Sequence, residues 1–203
     1  MSEFSEQTDR LIGLGYPALA GLAESDFRSR LAPLEAVADR IDAASSYVVV
    51  VTRDLVDPRD TVPLLRLVGS AKPGVVDRNH AEGDLATYHP LPELAVPPAA
   101  AYLLVAVERG EEFCGVRPQD ALPVIRSRGR TPLTIDEGIA VVTHLPHLLE
   151  KNKCFMLSGS RRADRRVPAL WIGQRAPKLG WCWDGNPHTW LGVASAGARL
   201  AGG

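Results

Sequence analysis

Apolar residues at helical spacing predict that the chain begins with helices. Leucines and alanines recur every three or four positions over residues 11–22, although two glycines and a proline must divide this run. A second apolar face extends over residues 27–41, with Ser25 as its predicted N-cap and Pro33 as a predicted kink or restart. We therefore expect residues 1–44 to form a helical N-terminal segment.

Two β-branched runs without polar alternation predict strands that are buried on both faces. They span residues 47–52 and 102–107. The stretch between them is rich in proline, glycine and aspartate, and it contains weaker strand candidates at residues 62–68 and 75–77. Short apolar runs punctuated by glycines predict further strands at residues 154–157, 167–172, 179–183 and 190–193.

Two more helices are predicted in the C-terminal half. Residues 119–127 form a short helical run. Thr134 and Glu137 fit the S/T-x-x-E capping box directly before an apolar segment, so a helix should begin there and end near His144.

This order of elements, with helices first and strands interspersed with helices afterwards, favours an α+β fold over strict βαβ alternation. A chain of 203 residues suits one domain. We expect N-terminal helices packed on a mixed, largely antiparallel sheet in a single domain, residues 1–203, with its sheet-containing core in residues 45–203.

Composition limits the compartment in which such a chain is expected. The hydrophobic share of 45% and the charged share of 23% are typical of a globular protein. Three cysteines, far apart and odd in number, favour a reducing compartment over a secreted disulfide framework. The N-terminus is acidic and polar, unlike a signal peptide, and no apolar run is long enough to cross a bilayer. We expect a cytoplasmic protein without a membrane partner.

The formal net charge of −1 conceals an uneven distribution of charge. Residues 1–110 carry ten Lys or Arg against sixteen Asp or Glu, whereas residues 111–203 carry thirteen against eight. The positive excess is concentrated over residues 158–178. Either an anion-binding surface or the mutual attraction of two oppositely charged halves explains this split.

A candidate anion site follows one of the predicted strands. Ser158, Ser160, Arg161 and Arg162 surround a glycine, so backbone N–H groups, hydroxyls and guanidinium groups could hold a phosphate or carboxylate together. The run is not a nucleotide-binding P-loop, because the G-x-x-x-x-G-K-[ST] spacing is missing. The alternative is a solvated turn whose arginines pair with the acidic N-terminal half.

All four tryptophans fall near the C-terminus. On a strand, Trp181 and Trp183 project to one face and Cys182 to the other, while Asp184 and His188 should lie near each other across the following turn. The segment is then a structural plug, a ligand pocket, or the site of an Asp184–His188 acid–base pair. As a pocket it would contact its ligand through Trp181, Trp183, Asn186, His188 and Trp190.

Neither a metal nor a nucleic acid is predicted as a ligand. The five histidines and three cysteines lack the spacing of a zinc site. Arginines interleaved with aromatic residues can contact RNA, but the isoelectric point of about 6.5 and the lack of a recognisable RNA- or DNA-binding motif argue against it. The sequence does not indicate which cofactor, if any, the protein uses.

Longer motifs carry a family resemblance. The run LGWCWDGNPHTWLG at residues 179–192, together with residues 129–138, 155–161 and 168–171, resembles an uncharacterised actinobacterial family, a domain of unknown function. The resemblance implies one domain, an actinobacterial cytoplasm and no assigned activity. It carries over no catalytic residues.

These observations favour a protein that binds a small anionic molecule or a protein partner through an Arg- and Trp-rich C-terminal surface. Two alternatives stay open. One is an enzyme in which Asp184 and His188 act as acid and base on a phosphorylated or acyl substrate. The other is a subunit of a protein assembly or a homo-oligomer, in which exposed tryptophans and arginines form the interface.

Overall fold

The computed structural model describes residues 2–202, which contain short helices and short strands. The helices are α1 (Glu3–Gly13), α2 (Tyr16–Leu19), α3 (Glu24–Leu31), α4 (Glu35–Ala38), α5 (Pro58–Thr61), α6 (Pro118–Ser127) and α7 (Ile135–His144). The strands are β1 (Tyr47–Val51), β2 (Val75–Val76), β3 (His89–Pro90), β4 (Ala101–Val105), β5 (Thr131–Pro132), β6 (Cys154–Met156), β7 (Ser160–Arg161), β8 (Arg166–Gly173), β9 (Ala176–Trp183), β10 (Leu191–Val193), β11 (Ser195–Ala196) and β12 (Ala198–Leu200).

The N-terminal helices form largely where the sequence predicts them. Their buried side chains, among them Leu11 and Phe27, pack with residues of β1 and β4 in one hydrophobic cluster. Gly15 separates α1 from α2 with a φ of 89°, in the left-handed region that favours glycine. The predicted N-cap at Ser25 is wrong. Helix α3 already begins at Glu24, because Ala23 is the last residue with extended backbone.

A three-stranded antiparallel sheet, ordered β1-β4-β12, lies between two hydrophobic clusters. Val48 and Val50 of β1 belong to the larger cluster, whereas Tyr47 and Val49 belong to the cluster of the N-terminal helices. Both faces of the strand are therefore buried, which explains why its sequence shows no polar alternation.

A five-stranded mixed sheet, ordered β10-β6-β8-β9-β2, forms the C-terminal part of the fold. Strands β8 and β9 make a long antiparallel hairpin, and β6 pairs antiparallel with β8. The outer strands β10 and β2 pair parallel with their neighbours. Helices packed on mixed and antiparallel sheets confirm the predicted single-domain α+β class.

Helix α7 connects the two sheets, since it contacts β1 in one and β8 in the other. The predicted capping box is present: Thr134 and Glu137 each accept a backbone N–H from the other. The Glu137 carboxylate is fully buried, and it also accepts a hydrogen bond of 2.7 Å from the Tyr102 hydroxyl and one of 2.9 Å from Arg199 Nη2. This buried network ties α7 to β4 and β12.

One predicted strand is wrong. Residues 62–68 contain a 3-10 turn, Val62–Leu64, and no strand. Pro63 cannot donate a ladder hydrogen bond, and the buried side chains are Val62 and Leu65, three positions apart rather than alternating. Within residues 2–202, none of the helices combines the length and the apolar character that a bilayer-spanning helix needs.

Candidate functional site

The two arginines predicted to bind an anion already have carboxylate partners. Arg161 pairs with Asp184 at 3.0 Å, and its burial lowers the pKa of the guanidinium. Arg162 pairs with Asp84 at 3.0 Å and with Asp164 at 3.2 Å. An external anion would therefore compete with bound carboxylates at both positions.

The two serines of the same segment are buried. Ser158 and Ser160 have no exposed surface. The Ser160 Oγ accepts the N–H of Ile135 at 3.0 Å, so it holds the first turn of α7. Ser160 and Arg161 form β7, paired with β3, so the segment is not a solvated turn, but Arg162 does pair with Asp84 of the acidic N-terminal half as that alternative expects. The structure does not gather these hydroxyls and guanidinium groups around an open anion cradle.

Asp184 and His188 are not brought together as an acid–base pair. Asp184 is engaged by Arg161, and no hydrogen bond or ion pair joins it to His188 among residues 2–202. His188 instead lies against Trp190, with ring centres 5.6 Å apart. Burial lowers the pKa of His188, so its imidazole is neutral near pH 7. Asn186 is exposed in the same turn.

The tryptophans form two separate edge-to-face pairs. Trp181 and Trp183 have ring centres 5.0 Å apart, as their common strand face predicts. The Arg166 guanidinium stacks on this pair, 4.3 Å from the centre of the Trp181 ring. Trp181 Nε1 donates a hydrogen bond of 2.7 Å to the Asn79 carbonyl. Protein groups thus already occupy a face and the indole N–H of Trp181, whereas Trp183 is 44% exposed.

The second pair, Trp171 and Trp190, has ring centres 6.3 Å apart and lines a cleft of about 590 Å³. The Trp171 ring lies over Gly180, two positions from its partner Lys178 on β9, and a Cβ at Gly180 would overlap the indole ring. We call this cleft the Trp171–Trp190 pocket. Its other lining residues are Lys151, Asn152, Cys154, Ile172, Gln174 and Arg175.

The rim of the Trp171–Trp190 pocket has an unusual backbone. Asn152, Gln174 and Arg175 have φ angles of 65°, 54° and 65°, in the left-handed region that side-chain-bearing residues rarely adopt. Gln174 and Arg175 are the two turn residues between β8 and β9, where Asn-Gly is the usual choice. Ser70 Oγ donates to the Arg175 carbonyl at 2.9 Å and thereby braces this turn. Backbone strain of this kind concentrates at functional sites.

The rim is also positively charged. Lys151 and Arg175 are exposed, and neither forms an ion pair within residues 2–202. By contrast, Arg161, Arg162 and Arg166 all have carboxylate partners. The pocket therefore combines two tryptophan side chains with two cations that have no ion-pair partner in residues 2–202.

A family model described as "Family of unknown function (DUF5701)" matches residues 10–202. The chain belongs to the DUF5701 family. No curated protein and no solved structure gives a significant match. The predicted resemblance to a domain of unknown function is thereby confirmed, whereas the actinobacterial origin, the specificity of the C-terminal motif and the cytoplasmic location stay predictions. Membership in DUF5701 assigns no activity, so the function of this chain has to be argued from its own geometry.

Sequence reasoning missed part of the pocket of this DUF5701 chain. It included Trp190 but not Trp171, Lys151 or Arg175 as ligand contacts. One signal was present: Gln-Arg between two strand-like runs is an unfavourable pair for a two-residue hairpin turn. Among residues 2–202, no group of three or more His, Cys, Asp or Glu side chains is arranged to hold a metal ion.

Proposed function

We propose that the protein binds a small anionic molecule with a flat apolar body in the Trp171–Trp190 pocket. One observation carries the proposal: two edge-to-face tryptophans lie beside two cations, Lys151 and Arg175, that have no ion-pair partner in residues 2–202. The class of ligand is the one the sequence predicts, but Lys151 and Arg175 replace Arg161 and Arg162 as its charge partners.

The size and lining of the pocket suit a small organic molecule. Its volume of about 590 Å³ lies within the usual range for ligand sites, roughly 300–1,000 Å³. Trp171, Trp190 and Ile172 provide an apolar surface, and edge-to-face indoles leave ring faces on which a planar group can stack. An aryl or heteroaryl group is therefore the favoured apolar part of the ligand.

The charges around the pocket favour an anion. The Arg175 guanidinium can hold a carboxylate or phosphate through two parallel hydrogen bonds, and Lys151 adds a second positive charge. Burial raises the pKa of the Cys154 thiol, so it adds no negative charge, and His188 is neutral. The side chains that line the pocket thus contribute a net charge of +2, from Lys151 and Arg175.

Isothermal titration calorimetry with indole-3-acetate and phenyl phosphate tests the proposal. Binding of at least one probe should weaken by about tenfold or more in Trp190→Ala, because an aromatic stacking surface is lost. The matched control is Trp183→Ala, which removes a tryptophan of the other pair and should change the affinity less than about twofold.

A charge control separates anion recognition from simple apolar binding. In the Lys151→Gln, Arg175→Gln double variant, indole-3-acetate should bind more weakly while neutral indole binds as before. The proposal is contradicted if Trp183→Ala weakens binding as much as Trp190→Ala. It is equally contradicted if neither probe shows binding that depends on Trp190.

A further inference from the structure

A third cation, Lys72, lies beside the rim of the Trp171–Trp190 pocket. Its Nζ donates a hydrogen bond of 3.0 Å to the carbonyl of Gln174, which lines the pocket. Lys72 is exposed, and it forms no ion pair within residues 2–202. An ammonium group has more N–H donors than this single hydrogen bond uses. Lys72 therefore keeps both its charge and some of its donors available to a ligand.

The loop that carries Lys72 is fastened to the turn between β8 and β9. Ser70 Oγ donates to the Arg175 carbonyl at 2.9 Å and accepts the backbone N–H of Lys72 at 3.3 Å. Lys72 itself holds the other carbonyl of the turn, that of Gln174. Because Gln174 and Arg175 are adjacent, these hydrogen bonds keep the Lys72 and Arg175 cations at the same two-residue turn.

No acidic residue lies on the two segments that meet at this turn. Residues 61–76 contain two Lys or Arg and residues 165–178 contain four, and neither segment contains an Asp or Glu. Asp77, directly after β2, is paired with Lys178 at 3.2 Å. Like charges held at one turn repel each other, and an anion placed between them relieves the repulsion. The surroundings of Lys72 and Arg175 therefore favour a ligand with more than one negative group.

A diphosphate fits this arrangement better than a single anionic group does. One phosphate or carboxylate is enough for the Arg175 guanidinium, which binds it through two parallel hydrogen bonds, and for Lys151. Such a ligand leaves Lys72 without a partner. A diphosphate carries a second phosphoryl group next to the first, and a lysine ammonium binds phosphate as a point charge without requiring a fixed geometry.

We propose that the ligand of the Trp171–Trp190 pocket is an aryl diphosphate, whose inner phosphoryl group binds to Arg175 and Lys151 and whose outer phosphoryl group binds to Lys72. This inference rests on the function proposed above, because the aryl part of the ligand still stacks on the two tryptophans. It adds the chemical identity of the anionic group, and it assigns to Lys72 the selection of a diphosphate over a monophosphate.

Isothermal titration calorimetry with phenyl phosphate and phenyl diphosphate, in buffer without divalent cations, tests the proposal. The unaltered protein should bind the diphosphate about fivefold or more tightly than the monophosphate, because an additional cation is engaged. In Lys72→Gln this advantage should fall below about twofold, whereas the affinity for phenyl phosphate should change by less than about twofold. Lys72→Arg keeps a cation at this position and should retain the advantage.

Arg66→Gln is the matched control for a general effect of positive charge. Arg66 lies on the same loop and forms no ion pair within residues 2–202, but its guanidinium donates to the carbonyls of Pro63 and Leu65. The advantage of the diphosphate should persist in this variant. The proposal is overturned if Arg66→Gln lowers the advantage as much as Lys72→Gln does, or if Lys72→Gln weakens both ligands equally. Absence of the advantage in the unaltered protein, or of binding by either ligand, also overturns it.

The same titrations distinguish a failure of this inference from a failure of the proposed function. If the binding of indole-3-acetate or phenyl phosphate depends on Trp190 but the diphosphate has no advantage, only the diphosphate and the role of Lys72 are wrong. If no probe shows binding that depends on Trp190, the pocket itself is wrong, and this inference fails with it.

Discussion

The two tryptophan pairs have the same ring chemistry but different surroundings. Around Trp181 and Trp183, Arg166 stacks on the rings, and Asp84 and Asp164 pair with Arg166 at 3.3 Å each. Around Trp171 and Trp190, the cations of the rim have no ion-pair partner in residues 2–202. The cation beside the first tryptophan pair has carboxylate partners within the chain, and the cations beside the second pair have none in residues 2–202.

This difference teaches that residue type alone does not locate a binding site. Arginine and tryptophan occur together at both pairs, but only beside Trp171 and Trp190 do cations have no ion-pair partner in residues 2–202. A buried or clustered group whose partners are already present contributes to stability, whereas one without partners is available to a ligand. The predictions below test this distinction.

The largest effect is expected where pairing is most complete, in the network of Glu137, Tyr102 and Arg199. Arg199→Ala leaves the fully buried Glu137 carboxylate without its charge partner. We expect a loss of about 3–5 kcal/mol in the free energy of unfolding, measured by denaturant titration. Arg175→Ala, which removes an exposed arginine without an ion pair, should change it by less than about 0.5 kcal/mol. Equal losses in both variants would contradict the distinction.

The pH dependence of stability sets the pH range in which variants at the two tryptophan pairs can be compared. Burial and the nearby positive charge of Arg10 lower the pKa of His144 from 6.5 to about 3, although a hydrogen bond to the Val49 carbonyl acts in the opposite direction. Between pH 6.5 and about pH 3, the His144 imidazole is therefore protonated in the unfolded chain and neutral in the folded chain. Stability from this group is complete above pH 6.5, falls by about 1.4 kcal/mol per pH unit below it, and stops falling near the folded pKa of about 3.

Denaturant titrations at several pH values check this expectation, with His144→Gln as the control. The glutamine amide can still donate to the Val49 carbonyl, which His144 Nε2 contacts at 3.1 Å. This variant should lose the part of the acid sensitivity that belongs to His144. An unchanged pH profile would show that other groups cause it.

Removing Arg166, the cation that stacks on Trp181, should lower the free energy of unfolding without affecting the affinity for the ligand. Arg166→Ala loses the stacking on Trp181 and two carboxylate contacts, and we expect a loss of about 1–2 kcal/mol by thermal or chemical unfolding. Affinity for the aryl anion probes should stay within about twofold. A large affinity loss in this variant would place the ligand at Trp181 and Trp183 instead.

The smallest expected effect comes from a variant in which stability should rise while affinity for the anion falls. Arg175→Gly should raise the free energy of unfolding by about 0.5–1 kcal/mol, because glycine adopts the left-handed φ of 65° without strain. The same change should weaken anion binding, since a cation of the rim is lost. A variant that gains stability and keeps full affinity would show that Arg175 does not contact the ligand.

The sequence predicts features that depend on neighbouring residues. Thr134 and Glu137 are three positions apart, so the capping box is visible in the sequence. Trp181 and Trp183 share a face because side chains alternate along a strand. These local rules explain why most helices and strands were predicted near their observed positions.

The candidate pocket depends on contacts that local rules do not contain. Trp171 lies on β8, and Trp190 immediately precedes β10; β6 runs between these strands, so the strand order decides that the rings meet. The pairing of Arg161 with Asp184 is equally a matter of tertiary packing. Sequence reasoning predicted the ligand class from composition; under the function proposed above, Lys151 and Arg175 take the place that it gave to Arg161 and Arg162.

Fluorine NMR of protein labelled with 5-fluorotryptophan tests the central claim most directly, because the chain has four tryptophans and each gives its own signal. The signals are assigned with one Trp→Phe variant for each position, and indole-3-acetate or phenyl phosphate is then titrated. The account predicts saturable shifts of the Trp171 and Trp190 signals, with Trp181 and Trp183 nearly unmoved. Shifts confined to Trp181 and Trp183, or no saturable shift at Trp171 and Trp190, would contradict it.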